Sequence, residues 1–167
     1  TAPLGLTTSL ADFSEGLEAA GAPAADEIDE TYSVISSRKD AYTNHAMERS
    51  FTFKKDGQTL VVQARAYDDG FAFRYSVPGR RNQEMRVSDE ASGFRLPAAS
   101  AVWAMPYSGG AYNYEGMFTE STAETLAGGQ SMPLLYKTPS GTFVLLSEAN
   151  LDGAISVRSF SSRAAGC

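Results

Sequence analysis

Residues 64–75, ARAYDDGFAFRY, decide how this chain folds. Two strand-like runs flank Asp68-Asp69-Gly70, and an Asp-Gly pair between such runs is a strong short-range signal for a hairpin. A two-residue Asp69-Gly70 loop calls for positive φ at both central residues, a type I′ turn. That register sets Ala66 opposite Phe73, Ala64 opposite Tyr75 and Val62 opposite Val77, all on one face, the core face. The other face then carries Tyr67 beside Ala72, and Arg65 beside Arg74. Like charges directly opposite in a sheet cost some tenths of a kcal/mol up to ~1 kcal/mol. Either the arginines splay into water, or a carboxylate bridges two guanidiniums whose forks suit bidentate contact. The expected bridge is a buried acid, Glu90 or Glu148, against Arg65 or Arg74, so that Arg65 holds the floor of the sheet. A longer loop centred on residues 68–70 would slip the register and dissolve the arginine pair.

Outward from the hairpin, the period-two pattern begins at residue 49. Phe51 and Phe53 alternate with Ser50, Thr52 and Lys54, and Asp56-Gly57 supplies a turn before a strand over 60–67. Further strands are expected at 71–77, 85–89, 102–105, 134–137, 142–147 and 155–160, with TPSG at 138–141 as a turn. Many short strands with Gly/Pro punctuation predict an all-β fold, an antiparallel β-sandwich with few or no helices. Residues 1–30 are partly irregular in this reading. LADFSEGL offers one helical turn through Leu10, Phe13 and Leu17, and EAAGAPAADEIDE reads as a solvated loop.

The bulk numbers set limits. A chain of 167 residues fits one domain, 1–167, with 43% hydrophobic and 20% charged residues, ordinary for a globular protein. A net charge of −6 opposes nucleic acid and anionic membrane as partners, which need a basic face. No apolar run approaches the ~18 residues of a spanning helix. The opening TAPLGLTTSL has no basic or apolar signal-peptide region. Cys167, the lone cysteine, rules out an internal disulfide framework and leaves the compartment open.

Most catalytic signatures are missing. His45 is the single histidine, YTNHAM carries no nucleophile elbow, no GxSxG occurs, and no glycine-rich stretch leads into a helix and lysine. One histidine and one terminal cysteine cannot build a zinc site. Carboxylates remain. The stretch 142–147 is almost wholly apolar and is expected to be a buried strand, with Glu148 emerging at its end. A carboxylate there is either a charge stepping into solvent or a hard-oxygen ligand for calcium, with Asn150 and Asp152 offering more oxygens. Trp103, Tyr107, Tyr112, Tyr114 and Phe118 crowd the middle of the chain. Such aromatics stack on sugars or fill a core, and Trp103, Tyr112 and Tyr114 are the candidate substrate-binding residues.

The motifs APLGL, DETY, ARAYDDGFAFRY, a strand ending in Glu90 followed by Phe94, the lone Trp103, and PLLYKTPSGTFVLLSEANLDG occur in that order. From about Leu4 to Asp152 this resembles the amino-terminal domain of glycoside hydrolase family 97, the α-glucosidase and α-galactosidase family. The resemblance implies a galactose-mutarotase-like β-sandwich packed on a catalytic (β/α)8 barrel that acts on an α-linked oligosaccharide. It also implies an active-site calcium with one glutamate ligand from the sandwich, at the position of Glu148. The chain is too short for the barrel, and relative to the family it starts late and stops early. The sandwich is therefore expected to be incomplete and not catalytic alone, with a homodimer through an exposed sheet as one consequence. The implied setting is secreted or periplasmic, with the signal peptide outside this chain. Two alternatives stay open: a stand-alone carbohydrate-binding module and a protein-interaction module.

Overall fold

The computed structural model describes residues 4–21, 23–36, 38–79, 84–107, 116–149 and 160–161. Every regular element among them is a strand, and every pairing is antiparallel. The fold is all-β, and the chain divides into two compact units.

Leu4–Ala91 form one unit. Its main sheet contains β2 (Glu18–Ala19), β3 (Ala25–Tyr32), β4 (Tyr42–Lys55), β5 (Gln58–Ala66) and β6 (Phe71–Ser76). β4 is the longest strand. It pairs with β5 on one side and with β3 and then β2 on the other. The β4–β5 turn takes the expected form, with Asp56 at φ 49° and Gly57 at φ 74°, the two positive dihedrals of a type I′ turn. β1 (Leu6–Thr8) pairs separately with β7 (Val87–Glu90).

The decisive hairpin takes another register. Ala66 lies opposite Phe71, Ala64 opposite Phe73, Val62 opposite Tyr75 and Gln63 opposite Arg74. The loop therefore spans Tyr67–Gly70, closed by the Tyr67 N–H donating to the Gly70 carbonyl at 2.8 Å. Relative to the two-residue loop the ladder slips by two positions. Because side chains alternate with period two, a two-residue slip leaves each on its expected face. Ala64, Val62, Phe73 and Tyr75 thus still share the apolar face. The slip places aromatic rings against small or branched partners and sets Arg74 against Gln63, so no like charges stand opposed.

The helical turn at residues 10–17 is absent. Thr7 bridges to Asp12 and the Phe13 N–H donates to the Leu6 carbonyl at 2.8 Å, which folds Phe13 inward to 0% exposure. Phe13, Leu60 and Val62 form the core, with Leu17, Phe53 and Tyr75 packed around them. Part of the expected solvated loop is instead the strand β3. Its acids face water at the sheet margin, where charge also discourages edge pairing. Tyr32 stacks on Tyr42 at 5.6 Å, and the Asn44 amide donates to Glu30 at 3.4 Å.

The other unit takes in Ser92 onward. Its sheet runs β11 (Phe143–Leu146), β10 (Gly129–Lys137), β8 (Ala101–Pro106), β9 (Thr119–Thr122), and β12 (Phe160–Ser161) also pairs with β10. Val102, Ala104 and Leu134 are its core, joined by Leu126, Tyr136 and Leu146. The β10–β8 register shifts between Ser131 and Leu135, where Pro133 removes a ladder donor.

Ala99 sits at φ 58° and its N–H donates to the Glu124 carboxylate. That bond, ahead of others from Glu124's own backbone and Thr122, holds the Glu124 carboxyl below its ordinary 4.5. A depressed carboxylate contributes stability above its unfolded pKa and loses it as pH falls through the folded value. Glu124→Gln is therefore expected to remove part of the acid sensitivity below about pH 4.5. The check is the melting temperature at pH 7 and pH 3, whose difference should be smaller in the variant.

Candidate functional site

Glu48 and Arg65 face each other on adjacent strands β4 and β5. The Arg65 Nε donates to Glu48 Oε2 at 2.5 Å, with the side chains 31% and 15% exposed. Glu48, then Tyr67, hold the Arg65 guanidinium above its ordinary range. The Arg74 Nε donates to Gln63 Oε1 at 2.6 Å. The expected acid on Arg65 is therefore corrected: it is Glu48, a cross-strand neighbour, while Glu90 lies opposite Leu6 in the β1–β7 pair. Arg65 and Arg74 share a face diagonally, each held by its neighbour. Partly exposed charged pairs are screened by solvent, so Glu48→Gln, which keeps a hydrogen-bond acceptor, is expected to cost about 0.5–1 kcal/mol. Urea unfolding of Glu48→Gln, Arg65→Gln and the double variant would measure the coupling.

Glu148 follows β11 by two residues and is half-buried. The Ser147 hydroxyl donates to its backbone carbonyl at 3.3 Å. Asn150 and Asp152, the further candidate oxygens, lie outside the described residues. Among the described residues no three His, Cys, Asp or Glu side chains gather at a metal-binding distance. Calcium takes six to eight oxygens, more than the Glu148 carboxylate alone supplies.

Trp103 lies mid-strand in β8, opposite Leu135 and Glu120. Its ring stacks on Phe143 at 6.1 Å and 28°, and the Lys137 Nζ stands 5.3 Å from the Phe143 centroid. Tyr112 and Tyr114 lie outside the described residues, so the expected aromatic trio is represented by Trp103 alone. β11, expected to be buried, is instead an end strand of its sheet among the described residues. Phe143 and Leu145 are 58% and 61% exposed. An unbroken apolar run shows that a strand forms but hides which face it buries.

A cleft of about 320 Å³ opens on the apolar face of the β4–β5–β6 sheet, lined by Phe51, Phe53, Phe71, Phe73 and Tyr75 among others. Its polar group, the Tyr75 hydroxyl, accepts the Gly5 N–H at 3.1 Å. Such a lining lacks the convergent donors and acceptors that fix a sugar. His45, at the margin, lies 3.9 Å from Glu27 with its side chain 51% exposed.

Comparison with known proteins adds the context. The profile described as glycosyl-hydrolase 97 N-terminal matches residues 1–159. A Streptomyces bingchenggensis (strain BCW-1) protein described as "Probable retaining alpha-galactosidase" is 32% identical over 159 residues, 92% of this chain and 23% of that protein. The crystal structure of a β-arabinopyranosidase superposes with a TM-score of 0.81 at 25% identity, over 94% of this chain and 28% of that one. A glycoside hydrolase family 97 enzyme from Pseudoalteromonas sp. strain K8, in complex with acarbose, superposes with a TM-score of 0.73 at 20% identity, over 84% and 22%. This last likeness is one of fold. The chain spans less than a third of each of these proteins.

Proposed function

This chain belongs to the glycosyl-hydrolase 97 N-terminal family, and from that premise we propose that it is the accessory domain of a calcium-dependent α-glycosidase. It packs on a catalytic barrel of the same parent protein and performs no bond cleavage alone. The observation that carries this reading is the match of residues 1–159 to a family defined by its position ahead of the hydrolase's remaining length.

Glu148 is the metal-facing residue in this proposal. It is half-buried and stands two residues beyond the end of β11, where an apolar strand gives way to a carboxylate that suits a hard cation. When bound, calcium would polarise a sugar oxygen or orient a catalytic carboxylate. The Arg65–Glu48 pair stiffens the sheet and takes no part in the chemistry. The setting is the secreted or periplasmic space.

An α-galactoside is the first substrate to test, since the relative at 32% identity is described as an α-galactosidase. The 167-residue chain should show no turnover of nitrophenyl α-galactoside or α-glucoside, with or without calcium. The parent protein should be active and calcium-dependent. Appreciable turnover by the isolated chain would remove the accessory assignment.

A further inference from the structure

We propose that Asp69 is a site of spontaneous covalent modification, isomerising to isoaspartate through a succinimide, while Asp56 is protected from the same reaction by its turn. Both aspartates precede a glycine, Gly70 and Gly57, and the fold gives the two pairs different backbones. A third pair, Asp152-Gly153, lies outside the described residues. The reaction needs only the two residues and water, so it is independent of the glycosidase reading and of any partner.

The chemistry sets a geometric demand. The glycine nitrogen attacks Cγ of the preceding aspartate, the carboxyl hydroxyl and the amide proton leave as water, and a five-membered imide closes. Water then opens the imide at either carbonyl. One product is aspartate again; the other has its backbone running through the β-carboxyl. Atoms balance with no further reagent. Glycine, lacking a Cβ, obstructs the attack least, and both pairs are exposed, so neither feature separates them. Closure also requires Cβ and the next residue's nitrogen to come to the same side of the Cα–C bond.

Asp56 fails that requirement in the folded chain. Its φ of 49° and the 74° of Gly57 mark a type I′ turn, in which ψ at the first central residue is about +30°. At an L-configured Cα this sets Cβ about 150° away from the Gly57 nitrogen, nearly on the opposite side. The ladder holds it there, because Lys55 and Gln58 pair immediately on either side. Asp69 escapes this lock. Neither Asp69 nor Gly70 has positive φ. In the α region open to such a residue, Cβ stands only about 50–100° from the next nitrogen. The ladder stops at Ala66 and Phe71, leaving a four-residue loop in which rotation about one bond completes the approach. The bond that closes this loop runs from the Tyr67 N–H to the Gly70 carbonyl and does not use the attacking nitrogen.

The test follows isoaspartate in each peptide by mass spectrometry and by resistance to an Asp-directed protease. The 167-residue chain is incubated folded in warm neutral buffer and, in parallel, unfolded in concentrated urea. In the folded chain the Asp69 peptide should gain isoaspartate about tenfold faster than the Asp56 peptide, or more. In urea the two rates should converge to within about threefold. Gly70→Ala should fold as the parent chain does, since a Cβ at residue 70 meets nothing within 4 Å and the backbone there is not left-handed. That variant should slow the Asp69 reaction about tenfold or more, with far-UV circular dichroism confirming its sheet. A folded chain that converts neither aspartate, or converts Asp56 as fast as Asp69, would overturn the proposal. So would a rate difference that persists in urea, or a Gly70→Ala variant that isomerises at the parent rate.

Discussion

Phe13→Ala is expected to destabilise the Leu4–Ala91 unit by about 3–5 kcal/mol, the range for deleting a buried aromatic ring. Phe13 is 0% exposed and packs in one cluster with Leu60 and Val62. The loss combines the transfer of the ring back to water with the cavity left behind, because the flanking chain is pinned. Its N–H holds Leu6, and residues 7 and 12 bridge above it. A domain's whole stability is about 5–15 kcal/mol, so this change approaches unfolding. Phe13→Leu, which refills much of the volume, should cost about 1–2 kcal/mol. Trp103 lies in the other unit and is the chain's single tryptophan. Urea titration should therefore shift the circular-dichroism transition more than the fluorescence transition. A change below about 1 kcal/mol would show that Phe13 does not anchor the core.

The two Asp-Gly turns show how far local sequence specifies this fold. At Asp56-Gly57 both residues take positive φ and the loop is two residues long, as the dipeptide predicts. Asp69-Gly70 has the same chemistry, but neither residue has positive φ, and the loop spans four. The difference lies in the flanks. Closing the second turn at two residues would oppose Arg65 to Arg74 and push Phe71 into the turn. The longer loop keeps Phe71 on the ladder against Ala66 and sets Arg74 against Gln63, while the β4–β5 register separately places Arg65 opposite Glu48. Sheet class and the side-chain faces of the hairpin were thus legible locally, whereas the acid that holds Arg65 lies seventeen residues away.

β3 and β11 illustrate the complementary failure. Ala25–Tyr32 is too acidic to announce a strand, since its signal is the partner β4 rather than its own alternation. β11 announces a strand but conceals its edge position, because an all-apolar run looks the same buried or exposed. The candidate site follows the same logic. Glu148 was marked by a charge ending an apolar run, a local feature. Arg65 was recognised as needing an acid, but Glu48 could be identified only once β4 and β5 were aligned.

Glu148→Gln carries the largest functional consequence of the proposed role. The substitution keeps the shape and one carbonyl oxygen but removes a negative charge and a second donor, and calcium affinity is set chiefly by ligand charge and count. In the parent protein, calcium affinity by titration calorimetry is expected to fall on the order of 10–100-fold. Activity at limiting calcium should fall with it, and excess calcium should restore part of the loss. The isolated chain should keep its stability within about 0.5 kcal/mol, because Glu148 stands beyond the end of β11 and outside both cores. Glu120→Gln, on β9 opposite Trp103, is the matched control: it removes the same charge and should leave calcium affinity unchanged. A parent protein whose calcium affinity is indifferent to Glu148→Gln would detach the metal from this domain while leaving its family membership intact.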